Sequence, residues 1–123
     1  MDTATIECGH RPDAVADARH WLVAQLRAHG LADLEDDAAL LVTELTTNAL
    51  AHTPGGFAVE LHIDGGTVDV DVRDDAPPFD RPPASLPHAS GGRGLEIVDV
   101  LADDWGVHER ERGKTVWFRL SRR

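Results

Sequence analysis

Between Pro12 and Gly30 the apolar positions Val15, Ala18, Leu22 and Leu26 recur at spacings of three and four, which places them on one face of a helix. Pro12-Asp13 suits a helix start and His29-Gly30 a left-handed C-cap, so the spacing predicts a first helix over 12–29. A second stripe, Leu34, Ala38, Leu41, Val42, Leu45 and Ala49, runs from a capping Asp33 to the stop signal Thr53-Pro54-Gly55-Gly56. At Phe57 the period changes to two. Phe57, Val59, Leu61 and Ile63 alternate with Ala58, Glu60 and His62, and after Gly65-Gly66 the alternation resumes at Val68, Val70 and Val72, which predicts a hairpin.

Residues 76–92 are rich in Pro and Gly and read as one loop rather than a linker between domains. Leu95, Ile97, Val98 and Leu101 predict a short third helix opening at Gly92 to Gly94. Residues 105–108 and 115–120 read as a closing pair of strands, and 3–8 is compatible with a strand at the N-terminus. The strands cluster instead of alternating with helices. That order predicts an α+β two-layer sandwich, with helices stacked on one face of a mixed sheet.

A chain of 123 residues has room for one domain, taken here as 1–123. Hydrophobic residues at 41% and charged residues at 28% are those of a chain that folds. The net charge of -10 repels phosphodiester backbones and anionic lipid, and so argues against nucleic acid and membrane surfaces as partners. With one cysteine, Cys8, no intrachain disulfide can form, which fits a reducing compartment. The N-terminus shows no basic segment followed by an apolar one, and the longest apolar run, 38–42, is too short to cross a bilayer. A cytoplasmic location is the expectation.

Four segments carry candidate chemistry. Glu44 and Asn48 lie four apart on the second helix, so a carboxylate and an amide oxygen share one face beside Leu41 and Leu45. Such a pair suits Mg²⁺, a hard cation, and a carboxylate there can accept a proton; a polar helix edge with an i, i+4 hydrogen bond has the same spacing. Ser90-Gly91-Gly92-Arg93-Gly94-Leu95 feeds a helix N-terminus, where backbone N–H groups can approach phosphate, or where the glycines act only as a hinge or cap. Asp74 ends a strand, where its carboxylate can accept from an exocyclic amine such as adenine N6, or form an ordinary Asx turn before Pro77. Thr115 opens the last strand, with a hydroxyl suited to an adenine pocket or to nothing beyond strand propensity.

In this order and at these spacings the four segments resemble the GHKL ATP-binding superfamily, the Bergerat fold, and within it the small stand-alone anti-sigma-factor kinases. The likeness covers nearly the whole chain. Glu44 to Asn48 with Ala49 looks like the N box, Asp74 like the G1 aspartate, Gly92-Arg93-Gly94-Leu95 with Ile97-Val98 like the G2 box, and Gly113 to Thr115 like the G3 box. The resemblance implies ATP held with Mg²⁺ through Asn48, adenine read by Asp74 with Thr115 nearby, the 76–92 loop as a lid over the phosphates, and Glu44 as general base. It further implies a serine/threonine kinase that phosphorylates a STAS-type antagonist and sequesters a sigma factor, with Arg19 on the first helix engaging these partners and a homodimer compatible with the type. A nucleotide-gated binding module and a simple ATPase are the alternatives.

At the G1 box the chain departs from the pattern. The family carries two glycines shortly after the aspartate, and here Ala76 and Pro78 occupy those positions. Proline removes a backbone donor and fixes φ, so the turn under the base differs or is rigid. Three residues after Asn48, where sensor histidine kinases commonly place a basic residue, stands Ala51, and His52 reads as a packing or hydrogen-bonding residue. His10, His20, His29, His62, His88 and His108 show no spacing with Cys or carboxylates that marks a zinc site, and Trp21, Trp105 and Trp117 read as packing residues.

Overall fold

The structure is a computed structural model that describes residues 2–75 and 94–122, with Gly94 and Leu95 described by backbone alone. The 76–92 loop, with Gly92 and Arg93, lies outside the described residues. The first helix, α1, spans Ala14–Ala28 and buries Ala14, Ala18, Leu22 and Leu26. Gly30, at φ 73°, ends it as the sequence predicts: the Leu31 N–H reaches back to the Leu26 carbonyl at 2.8 Å.

The second helix, α2, spans Glu35–His52 and is preceded by a 3₁₀ turn at Ala32–Leu34. The expected cap, Asp33, does not cap it. Leu34 occupies the N-cap without a side-chain bond, while the Asp33 carboxylate accepts from Arg122 Nη2 at 2.8 Å and Nε at 3.1 Å. Glu35, Asp36 and Asp37 in the first turn supply the negative charge that the helix N-terminus favours.

The strands are β1 (Asp2–Cys8), β2 (Phe57–Asp64), β3 (Thr67–Asp74), β4 (Asp104–Glu109) and β5 (Lys114–Ser121), and the third described helix, α3, is Gly94–Leu101. A two-residue turn with Gly65 at φ 60° joins β2 and β3, pairing Asp64 with Thr67. Among the described residues five strands lie in the order β1-β2-β3-β5-β4. Every neighbouring pair is antiparallel, so the expected mixed sheet is corrected to an antiparallel one. The crossover through α3 does return β4 parallel to β3, but β5 inserts between them and turns both contacts antiparallel.

Alternation puts three rows of the sheet under the helices: Val59, Val72 and Val116; Leu61, Val70 and Phe118; Ile63, Val68 and Leu120. All are buried, each side chain contributing about 1.5–3 kcal/mol when fully removed from water. The α2 helix packs over β2, β3 and β5, with α1 against β1 and α3 against α2 and β4. The two-layer arrangement is thus the predicted one.

The opposite face of the sheet is polar. His62 Nε2 lies 3.0 Å from Glu60 Oε1 and 3.8 Å from Asp71 Oδ2, a convergence that the reading of isolated histidines missed. Glu60 and His62 are two apart on one strand, and Asp71 stands opposite Glu60 in the hairpin register. Trp117 stacks on His108 at 6.3 Å and carries the Arg119 guanidinium 5.9 Å from its ring centroid, a packing role as expected.

Candidate functional site

The helix-facing row at one end of the sheet departs from the apolar pattern. Phe57 pairs with Asp74, and Asp74 with Lys114. Because side chains alternate, Asp74 shares the face of Val72 and Val70, and Lys114 shares that of Val116 and Phe118. Lys114 Nζ donates to both carboxylate oxygens of Asp74, at 3.1 and 2.8 Å, and the two side chains are only 6% and 3% exposed. The turn before β5 enforces this closeness. Gly113 has φ +93°, and a Cβ on it would overlap the Asp74 carbonyl oxygen, so only glycine lets the chain cross the end of β3 there.

Thr115, read from the sequence as a residue suited to an adenine pocket, follows Lys114 on β5. It pairs with Arg73 and, across β4, with His108, so its side chain lies on the face opposite Asp74. Lys114, one residue earlier, is the residue beside the aspartate. Alternation counted back from Val116 was the signal that could have found it.

Glu44 and Asn48 sit four apart on α2, both half-buried, flanked by the buried Leu41, Leu45 and Ala49. The buried Thr46 hydroxyl is spent on its own helix, donating to the Val42 carbonyl at 2.7 Å. His52 is exposed at the last residue of α2, which argues against packing and leaves the hydrogen-bonding alternative of its reading. Gly94 and Leu95 form the first residues of α3, whose Val98 is buried. Arg19 is half-buried on α1.

A cavity of about 490 Å³ opens at the same end of the sheet, lined by Gly56, Phe57, Arg73, Asp74 and Arg110 among others, but by neither Glu44 nor Asn48. Its volume is within the range of small-molecule sites. Burial pushes the Cys8 thiol, also on this wall, above its ordinary pKa, with Asp17 adding to the shift and Arg11 opposing it, so it is not an activated nucleophile. A carboxylate at a strand end can pair with a polar heterocycle, and a carboxylate and an amide oxygen on a helix can hold a hard cation, but of Glu44, Asn48, Asp74 and Lys114 only Asp74 lines the cavity at the sheet end.

Residues 9–120 match the family of histidine kinase-like ATPase domains. The chain belongs to that family. As an ATPase domain it has the fold of an ATP-binding protein, and its α+β sandwich is similar to a crystal structure of the RsbU and RsbW domains of Rv1364c from Mycobacterium tuberculosis. That likeness has a TM-score of 0.65 at 21% identity and covers 97% of this chain but 31% of the other, so the present chain spans about a third of its relative's length. No curated protein matches the chain. Among the described residues no helix of this ATPase domain is long and apolar enough to cross a membrane.

Proposed function

We propose that this ATPase domain, taken as one unit over residues 1–123, is a serine/threonine protein kinase of the anti-sigma-factor type. It transfers the terminal phosphoryl group of ATP to a STAS-type antagonist and sequesters a sigma factor in the cytoplasm. The observation that carries the reading is that Glu44 and Asn48 sit half-buried on α2, the helix packed over β3, and β3 ends at the buried Asp74. Asp74 accepts from the exocyclic amine of adenine. The Asn48 amide oxygen is a hard oxygen donor of the kind that fits Mg²⁺. When bound, Mg²⁺ supplies charge neutralisation for the triphosphate.

Glu44 takes the proton from the acceptor hydroxyl of the docked antagonist, and phosphoryl transfer asks for little else beyond positioning. The backbone N–H groups of Gly94 and Leu95, at the start of α3, are donors suited to phosphate oxygens. Arg19 on α1 is assigned to the surface that meets sigma factor and antagonist.

A nucleotide-gated binding module is the second reading, favoured by the Ala76-Pro77-Pro78 sequence directly after Asp75, where the prolines lack a backbone donor. Incubation with labelled ATP and a STAS-type antagonist separates the readings. Label on a Ser or Thr of the antagonist supports the kinase, free phosphate supports a simple ATPase, and bound ATP with neither product supports the binder.

A further inference from the structure

Glu60, His62 and Asp71 converge on the polar face of the sheet, the face turned away from the helices and from Asp74. One ligand atom from each lies within 4.8 Å of the other two. His62 Nε2 is 3.0 Å from Glu60 Oε1 and 3.8 Å from Asp71 Oδ2. Atoms that bind a tetrahedral ion at about 2.1 Å lie about 3.4 Å apart, between these two separations. All three side chains are half-buried, held by the strands yet open to an ion from solvent. Their neighbours aim them inward. Thr3 Oγ1 on β1 lies 3.3 Å from His62 Nδ1, where it can accept the ring proton and leave Nε2 free of one. Glu60 Oε2 accepts from Thr5 Oγ1 at 3.5 Å and lies 3.9 Å from Arg73 Nη2, which turns Oε1 toward the imidazole. Asp69, the residue opposite His62, is engaged by Arg119 at 2.7 Å and so stands outside the set.

We propose that Glu60, His62 and Asp71 bind a divalent transition-metal ion of the Zn²⁺ type, with water completing its coordination, at a site separate from the nucleotide. Imidazole nitrogen is a ligand for Zn²⁺ and its neighbours in the first transition row, whereas Mg²⁺ keeps to oxygen and sheds its water reluctantly. An ion between the two carboxylates also offsets the repulsion of like charges held so close. The ligands come from both strands of the β2–β3 hairpin, so the ion clips the two strands together and, by binding only the folded chain, raises its stability. The competing arrangement is a protonated His62 that pairs with the carboxylates and needs no metal.

Titration calorimetry of the untagged chain with Zn²⁺, without nucleotide, tests the proposal, together with Tm in the presence of Zn²⁺ or Mg²⁺. The wild type is expected to bind a single Zn²⁺ and to melt at a higher temperature with it, while Mg²⁺ alone leaves the Tm unchanged. His62→Ala and Asp71→Asn, each checked for fold by circular dichroism, are expected to bind Zn²⁺ at least about tenfold more weakly and to lose the rise in Tm. The comparison of the two metals on the wild type needs no substitution, so a variant that fails to fold does not hide the answer. A wild type that does not bind Zn²⁺ overturns the proposal and leaves the three side chains as an ion pair alone. Folded variants that bind as the wild type does, or a Tm that Mg²⁺ raises as much as Zn²⁺, overturn it as well.

Discussion

Gly113 crosses the end of β3 so closely that a Cβ on it would overlap the carbonyl oxygen of Asp74, and its φ of +93° is one that L side chains rarely adopt. Gly113→Ala is therefore strained twice, by conformation and by space. The substitution is expected to lower stability by about 1–3 kcal/mol, read as a fall in Tm by circular dichroism. An unchanged Tm would mean that the turn can move off Asp74 at no cost.

The Asp74 and Lys114 side chains should behave as one unit in a double-mutant cycle. Lys114→Met alone leaves a buried carboxylate without its ammonium and is expected to cost about 3–5 kcal/mol in denaturant unfolding. Adding Asp74→Asn removes that charge and should recover much of the loss. Strictly additive effects would show that the two side chains do not interact in solution.

Asp71, on the polar face of the sheet, has its carboxyl pushed above the ordinary range, first by burial and also by Glu60 and Asp69, with His62 and Arg73 pulling the other way. A folded-state pKa raised above the unfolded one contributes stability fully present below the unfolded value, about 3.9. That contribution is lost as pH rises through the folded value. Asp71→Asn should therefore be more stable than the wild type at neutral pH, with the gap in Tm closing as pH falls below the carboxylate range. A gap that stays constant across pH would assign the effect to packing instead of ionisation.

The elements were legible where a local period governs them. The stripe from Ala38 to Ala49 and the alternation from Phe57 to Val72 each bury one face, and the two glycines at 65 and 66 leave one choice of turn. What escaped the sequence depends on contacts between distant segments. Asp33 has the right chemistry for a cap, but Arg122, 89 residues away, draws its carboxylate off the helix. The insertion of β5 between β3 and β4 has no local signature, and so the sheet read as mixed. At the site, the strand-end aspartate and the helix pair were visible as motifs. Lys114, the partner of Asp74, was not singled out, because a lysine before a strand reads as exposed until the register is known.

Calorimetric titration of Asn48→Ala against the wild type with ATP and Mg²⁺ tests most directly whether α2 supplies the metal-binding amide of a nucleotide site. Asn48 is only half-buried, so the alanine variant should keep its fold, as checked by circular dichroism. The wild type is expected to bind ATP only with Mg²⁺ present, and Asn48→Ala to lose most of that affinity. Equal binding by the two proteins, or binding by the wild type that is indifferent to Mg²⁺, would contradict it.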